Sequence, residues 1–221
     1  MKTYQIVFSA AYLCVLGCYL ISETGKDFRV RAWNKIVLAS LYLLYGWGMA
    51  LILRRWDCTA LALAGLTFAF LGDVWLLWSF HKGGLFFAIG NFFFLAYEIV
   101  YVVNWKIPFA RLWWAAVLFA VLWGAGLMLC RRGWLQIPQK YGIFKWYAAT
   151  VTAQGALGVA LACTWPDVRA RLLGSGLALF MVSDYFLAMH MFRYKQSKWV
   201  LRGNSFTYFL GMLLVALSIG F

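Results

Sequence analysis

Acidic residues are scarce in this sequence: only seven of its 221 residues are Asp or Glu, against 20 Lys and Arg. Charged residues make up 12% of the chain, about half the share of a soluble domain. So few charges cannot cover a water-soluble protein of this size. Proline is also rare, with 3 residues, and 65% of the chain is hydrophobic, which excludes a disordered polar chain. The composition predicts a polytopic membrane protein.

Eight apolar runs are each long enough to cross a bilayer as a helix, which takes about 20 residues. They are about twice as long as a barrel strand and do not alternate, which disfavours a β-barrel. We predict an all-α fold with eight transmembrane helices in one membrane domain, residues 1–221. The runs are Tyr4–Ile21, Trp33–Leu53, Cys58–Phe80, Leu85–Asn104, Leu112–Cys130, Ile143–Cys163, Leu172–Phe192 and Ser205–Phe221.

The basic residues lie mostly between these runs and are shared unequally by the two sides. With eight spans, both termini lie on one side together with seven Lys and Arg, and thirteen lie on the other. The positive-inside rule predicts that the second side is cytoplasmic, and we expect a bacterial cytoplasmic membrane. Basic loops also attract anionic headgroups, so the net charge of +13 does not predict a nucleic-acid partner.

Two stretches of the sequence match at a constant offset. Gly65-Leu66, Gly72-Asp73 and Leu76 recur 111 residues later as Gly176-Leu177, Ser183-Asp184 and Leu187. Lys35, followed four residues later by Ala39-Ser40, recurs as Lys145 with Ala149-Thr150. An even number of spans separates the copies. We therefore predict two parallel four-helix pseudo-repeats, residues 1–110 and 111–221, related by a twofold axis along the membrane normal.

Three carboxyl groups lie inside apolar runs, at Asp73, Glu98 and Asp184. A carboxylate at the bilayer centre costs about 2.5–3.5 kcal/mol on insertion scales, so such residues usually face the bundle interior and serve a function. By helix rise, both aspartates lie slightly to the cytoplasmic side of the midplane, with Lys35 and Lys145 near the helix ends. We predict a polar cavity there, lined by both pairs.

Structural interpretations of these residues remain open. The aspartates could be hydrogen-bonded to neighbouring helices, and the lysines could extend to lipid headgroups. Glu98 is expected to be a hydrogen-bonded structural carboxyl beside Tyr97. Two histidines near the interface, His81 and His190, are interpreted as surface rings, and we predict neither a metal nor a cofactor. The cysteines are expected to be packed, reduced thiols at Cys14, Cys18, Cys58, Cys130 and Cys163.

Four sequence blocks, taken in order, resemble the lysoplasmalogenase family related to YhhN. They are Leu71-Gly72-Asp73-Val74 in the third run, Gly90-Asn91-Phe92 in the fourth, Ser183-Asp184-Tyr185-Phe186-Leu187-Ala188 in the seventh and Thr207-Tyr208-Phe209-Leu210 in the eighth. The chain is a divergent member by this comparison: Tyr97, Ile36 and Met212 stand where the family usually has His, Pro and Gln.

The resemblance implies hydrolysis of the vinyl ether of a lysoplasmalogen to a fatty aldehyde and a glycerophospho-headgroup. This reaction needs a proton delivered to carbon and water added to an oxocarbenium ion, and paired carboxyls serve related chemistry in glycosidases. We predict catalytic roles for Asp73 and Asp184. The predicted partners are a lysophospholipid substrate and membrane lipids, with substrate-binding residues Lys35, Lys145, Asn91, Tyr97, Ser183 and Tyr208.

Two other functions compete with this interpretation. A proton- or ion-coupled transporter, or a lipid scramblase, could use the aspartate pair to bind protons or cations. A non-catalytic lipid-binding or assembly protein is the third possibility. Only the hydrolase would release an aldehyde from lysoplasmalogen, and the sequence leaves open which aspartate is the acid.

Overall fold

A computed structural model describes residues 2–25, 27–54, 56, 59–137, 143–195 and 197–221, without the side chains of residues 80–81 and 143–144. The described residues form eight helices and no strands. All eight are long and apolar enough to span a membrane, so the chain is an integral multi-pass α-helical membrane protein. The helices are α1 Thr3–Ser22, α2 Phe28–Leu53, α3 Thr59–Leu76, α4 Phe80–Asn104, α5 Phe109–Arg131, α6 Ile143–Thr164, α7 Val168–Phe192 and α8 Lys198–Ile219.

Several helices begin earlier than the apolar runs, because capping residues and not hydropathy set their first turns. The side chains of four residues accept hydrogen bonds from first-turn backbone N–H groups, which would otherwise lack partners. As a result the first turns of α2, α7 and α8 include basic residues that the apolar runs leave out. The capping residues are Asp27, Ser79, Asp167 and Ser197.

The connection between α3 and α4 is shorter than the sequence predicts. The Gly83-Gly84 pair is typical of a turn, but Gly83 lies inside the first helical turns of α4. A Cβ atom at Gly83 would stand 2.7 Å from Cγ of Leu76. The missing side chain therefore lets the end of α3 pack directly against the start of α4, and the turn residues are 77–79.

Helices from the two halves of the chain pack against each other in matching pairs. Within the halves, α2 packs on α3 and α3 on α4, as α6 packs on α7 and α7 on α8. Between the halves, α2 contacts α8 and α4 contacts α6. If each helix is replaced by its counterpart in the other half, the α2–α8 contact becomes the α4–α6 contact. The internal repeat itself stays a prediction.

Close helix contacts depend on glycine at two crossings. A Cβ atom at Gly176 of α7 would lie 2.7 Å from the carbonyl oxygen of Gly211 of α8. At the other crossing, a Cβ atom at Gly174 would overlap the carbonyl oxygen of Gly158 of α6. Small residues allow such approach in membrane helices, where packing drives association.

The Gly174→Ala substitution is expected to destabilise the protein by about 1–3 kcal/mol, the usual cost of an overpacked contact. Its methyl group would meet backbone of α6, which cannot rotate away. The measurement is thermal unfolding of purified protein in detergent. Gly124→Ala on α5 is the control, because no atom lies within 4 Å of a Cβ there. Equal melting temperatures for both variants would contradict the packing argument.

The cysteines do not pack in the interior as expected. Cys14, Cys18 and Cys163 are exposed, Cys130 is partly exposed, and all four are free; Cys58 lies outside the described residues. The expected packing was wrong, whereas the thiols are free as expected. The packing was misjudged because a membrane-spanning helix is apolar on all its faces. An apolar neighbourhood in the sequence therefore does not separate lipid-facing thiols from packed ones.

Candidate functional site

The first polar cluster surrounds the carboxyl group of Asp73. Lys35 Nζ lies 3.2 Å from Asp73 Oδ1. The hydroxyl groups of Tyr42 and Tyr208 donate to Asp73 Oδ2 at 2.9 and 2.7 Å, and the two hydroxyl oxygens are 3.5 Å apart. The carboxylate of Asp73 thus accepts from three donors, two on α2 and one on α8. We name these four residues the Asp73 cluster.

Helix direction brings these residues together at one end of the bundle. Asp73 lies in the last turn of α3, and Lys35 lies in the second turn of α2, which runs the opposite way. Tyr42 follows Lys35 by seven residues, two helical turns, and so shares its face. Tyr208 comes from the middle of α8. We call this end of the bundle the basic end, since it carries the larger share of Lys and Arg.

Burial makes the Asp73 cluster energetically important. Asp73 is 1% exposed, whereas the side chain of Lys35 is 14% exposed. Breaking a buried ion pair by removing one partner typically costs about 3–5 kcal/mol, because the remaining charge is left uncompensated. The partly exposed side chain of Lys35 is also the member of this pair that a ligand could approach.

A second carboxyl group, which the sequence did not indicate, lies near Lys35. Glu23 follows the last residue of α1 and is 3% exposed. Tyr19 donates to Glu23 Oε1 at 3.2 Å, and the hydroxyl of Ser205 donates to the same atom. Burial raises the pKa of Glu23, an effect opposed by the hydrogen bonds from Ser205 and Tyr19 and by the charges of Lys35 and Arg202.

The second cluster surrounds Asp184 on α7. The hydroxyl of Tyr147 donates to Asp184 Oδ2 at 2.6 Å. Asn91 Nδ2 donates to Thr150 Oγ1 at 3.0 Å, and Thr150 donates to the backbone oxygen of Tyr147 at 2.8 Å. These four residues, on α4, α6 and α7, form the Asp184 cluster. Asp184 itself is less deeply buried than Asp73.

The two aspartates belong to separate clusters at the same end of the bundle. The ring of Tyr208, in the Asp73 cluster, lies 5.9 Å from the ring of Phe180 and 5.6 Å from that of Phe87. Phe180 precedes Asp184 by one helical turn. The clusters therefore adjoin through aromatic side chains, and the described contacts do not join the two carboxyl groups directly.

Two predicted site residues occupy less prominent places than expected. Lys145, the proposed counterpart of Lys35, is exposed at the start of α6. Ser183 is buried, but its hydroxyl donates to the carbonyl oxygen of Phe180 at 2.7 Å, within its own helix. Lys35 and Lys145 therefore occupy equivalent positions in the sequence but have different surroundings in the structure.

Tyr97 does not join either cluster. It lies toward the opposite end of the bundle, where its hydroxyl accepts a hydrogen bond from Arg169 at 2.9 Å. Arg169 also donates to Thr59 at 3.0 Å, and Tyr101 donates to Asp167 at 2.6 Å. These contacts hold the first turn of α7 against α3 and α4. The structure therefore gives Tyr97 a place among structural contacts, away from both aspartates.

Glu98 differs from the sequence-based expectation in its surroundings. It is fully buried, but both of its carboxyl oxygens lack a hydrogen-bond partner among the described residues. No described side chain supplies the hydrogen bonds that were expected for this carboxyl, and the nearest contact given for it is with glycine: a Cβ atom at Gly158 of α6 would stand 3.2 Å from Glu98 Oε1.

No cluster suited to a metal ion occurs in the described parts of the chain. A site would need at least three His, Cys, Asp or Glu side chains in reach of one ion, and no such group is found there. The side chain of His81 lies outside the described residues, and His190 is partly exposed near the end of α7.

The fold and these clusters define a class of protein: an eight-span α-helical membrane protein with buried carboxyl groups at one end of its bundle. Comparison with protein families specifies this further, since residues 30–219 match the YhhN family. The match covers most of the chain, both aspartates included, and the chain belongs to this family. Neither the curated proteins nor the solved structures gave a match.

Proposed function

We propose that the protein hydrolyses the vinyl ether of lysoplasmalogen-type lysophospholipids inside the membrane. Membership of the YhhN family supports the assignment. The observation that carries it is Asp73, a buried carboxyl held by an ammonium and two phenolic hydroxyls. A held, desolvated charge of this kind suits stabilisation of a cationic transition state.

The two carboxyl groups take different roles in this proposal. Asp73 accepts from three donors, one of them an ammonium, and this suits an ionised carboxylate. Asp184 accepts from the hydroxyl of Tyr147 and can retain its own proton. In other hydrolases, two carboxyl groups in different surroundings take different roles: one donates a proton and the other stays ionised and stabilises positive charge. We therefore assign the proton donor to Asp184 and the stabilising anion to Asp73.

The reaction proceeds in three steps. Asp184 gives its proton to the alkene carbon remote from the ether oxygen, the double bond forms the new C–H bond, and an oxocarbenium ion results beside Asp73. Water then adds to the cationic carbon, and its released proton returns to the carboxyl pair. The hemiacetal collapses to a fatty aldehyde and the glycerol hydroxyl of the headgroup portion. No net proton is consumed.

The surroundings of the clusters suit a lipid substrate. The long apolar chain can remain among the helices and the bilayer, while the phosphate lies toward the basic end. Lys35 is partly exposed there and Lys145 is exposed, so either ammonium can contact a phosphate as a point charge.

The deciding experiment measures aldehyde release from lysoplasmalogen by purified protein, with a lysophospholipid that lacks the vinyl ether as control substrate.

Lys35→Met should lower kcat for aldehyde release by about 10²-fold, at the lower end of the range for assisted proton-transfer chemistry. The ammonium 3.2 Å from Asp73 would be lost, and the carboxylate would no longer be held as an anion. KM should rise as well if the same ammonium binds phosphate. Steady-state kinetics of Lys35→Met and of Lys195→Met, an exposed lysine at the same end, check this.

The kinetic split also decides what Lys35 does. Unchanged kcat with a raised KM would assign Lys35 to the phosphate alone and contradict its role in holding Asp73. A well-folded Lys35→Met variant with normal kcat and KM would remove Lys35 from the site.

A transporter is the alternative that one observation favours. Glu98 lies fully buried in the half of the bundle opposite both aspartates, so carboxyl groups occur at two depths of the membrane. Proton- or ion-coupled uptake into vesicles, without aldehyde release by the purified protein, would support this alternative against the hydrolase.

A further inference from the structure

Three buried polar side chains on the contacting helices α4 and α6 are not fully used by the proposed chemistry. Asn91 is 1% exposed, and Gln154 and Glu98 are each 0% exposed. Five of their polar atoms lack a hydrogen-bond partner among the described residues: Asn91 Oδ1, both amide atoms of Gln154 and both carboxyl oxygens of Glu98. Buried polar groups in proteins nearly always have partners, so five such atoms in one interface point to a bound ligand.

The register of the two helices places these side chains in one line. Asn91 of α4 donates to Thr150 of α6, and Glu98 Oε1 lies 3.2 Å from the position of a Cβ atom at Gly158. Gln154 lies one turn from each of these α6 positions. The line therefore extends about 10 Å along the axis of α4, the rise of the seven residues from Asn91 to Glu98.

The chemistry of the five atoms favours water as the ligand. Four are oxygen acceptors and one, the amide nitrogen of Gln154, is a donor. A water molecule both donates and accepts and typically makes about three hydrogen bonds when buried. A cation would suit the four oxygens but would leave the amide N–H group of Gln154 without an acceptor.

One end of this line reaches the Asp184 cluster. Thr150, which accepts from Asn91, donates to the backbone of Tyr147, whose hydroxyl donates to Asp184. We propose that Asn91, Gln154 and Glu98 form a buried water-binding site, and that this site supplies, from the Asp184 side, the water that adds to the cationic carbon. The supply role rests on the proposed hydrolase function, whereas the water site does not.

Radiolytic hydroxyl-radical footprinting of the purified protein tests the water site, because radicals formed at bound water oxidise adjacent side chains. Gln154→Leu should lower the oxidation of residues 91–98 several-fold. Thr152→Val is the matched control, since Thr152 is equally buried on α6 but bonds to Ala148 and Tyr185, and it should leave that oxidation unchanged. If Gln154→Leu does not fold, Glu98→Leu provides the same comparison.

Equal oxidation of residues 91–98 in wild type and in a well-folded Gln154→Leu variant would overturn the water site. A sodium-dependent rise in wild-type melting temperature that Gln154→Leu abolishes would also overturn it, in favour of a cation.

For the supply role, Gln154→Leu should lower kcat for aldehyde release several-fold with little change in KM. Unchanged kcat together with lost oxidation would overturn the supply role alone.

The two proposals fail separately in these measurements. Wild-type protein that shows the expected oxidation pattern but releases no aldehyde would overturn the hydrolase function and leave the water site in place.

Discussion

Asp73→Asn should lower aldehyde release from lysoplasmalogen by about 10²–10³-fold, the usual cost of removing a group that stabilises charge in the transition state. Asparagine keeps the size of the side chain and an oxygen that can accept from Tyr42 and Tyr208. It carries no charge, however, to stabilise a cation or to pair with Lys35. The measurement is the initial rate of aldehyde formation by purified protein at saturating substrate, with thermal melts alongside.

Asp167→Asn provides a matched control for this substitution. Asp167 accepts from Tyr101 at the opposite end of the bundle, so the same chemical change there should leave the rate near that of wild type. A well-folded Asp73→Asn variant with full activity would remove Asp73 from the mechanism and return it to a structural role. A loss of rate in both variants would indicate a general defect of the fold.

The core of the Asp73 cluster can be anticipated from the sequence because charges are costly in apolar runs. Asp73 is conspicuous as one of three acidic residues inside predicted spans, and Lys35 lies near the end of the neighbouring span. Consecutive spans run in opposite directions, so the start of α2 and the end of α3 meet at one side of the membrane. Antiparallel connectivity therefore places Lys35 and Asp73 at the same side of the membrane, and the cost of an unpaired charge in an apolar run favours their pairing.

Two hydrogen-bond partners of the aspartates, Tyr42 and Tyr147, cannot be anticipated in the same way. Tyr42 and Tyr147 are two of 12 tyrosines, and tyrosine in an apolar run commonly packs or lies at the interface. Glu23 follows directly after a span and resembles a solvated loop residue. It is buried in the folded protein, where the hydroxyl of Ser205 on α8 donates to it. Such contacts depend on tertiary packing that spacing in the sequence does not encode.

The internal repeat marks both carboxyl positions but predicts a closer likeness of their surroundings than the structure shows. Lys35 contacts Asp73, whereas Lys145 is exposed and Asp184 accepts from Tyr147. Matching residues in two halves can diverge once each half has its own neighbours. This divergence is also what the proposed mechanism requires, since identical surroundings would give both carboxyls the same role.

Asp184→Asn should reduce aldehyde release by a similar factor, about 10²–10⁴-fold, because asparagine has no proton to deliver to the alkene carbon. Its amide can still bond with Tyr147, so the fold should be retained. The double variant with Asp73→Asn should be little slower than either single variant, since groups that act as a unit are far from additive.

Single-turnover rates of the two single variants and the double variant, measured on the same lysoplasmalogen, check this expectation. Multiplied losses in the double variant would contradict a joint mechanism, because they would show that each aspartate acts on its own. Full activity of well-folded Asp184→Asn beside an inactive Asp73→Asn would leave Asp73 as the one essential carboxyl. The proton would then have to come from another group, and Glu23, buried near Lys35 with a raised pKa, would be the next residue to replace.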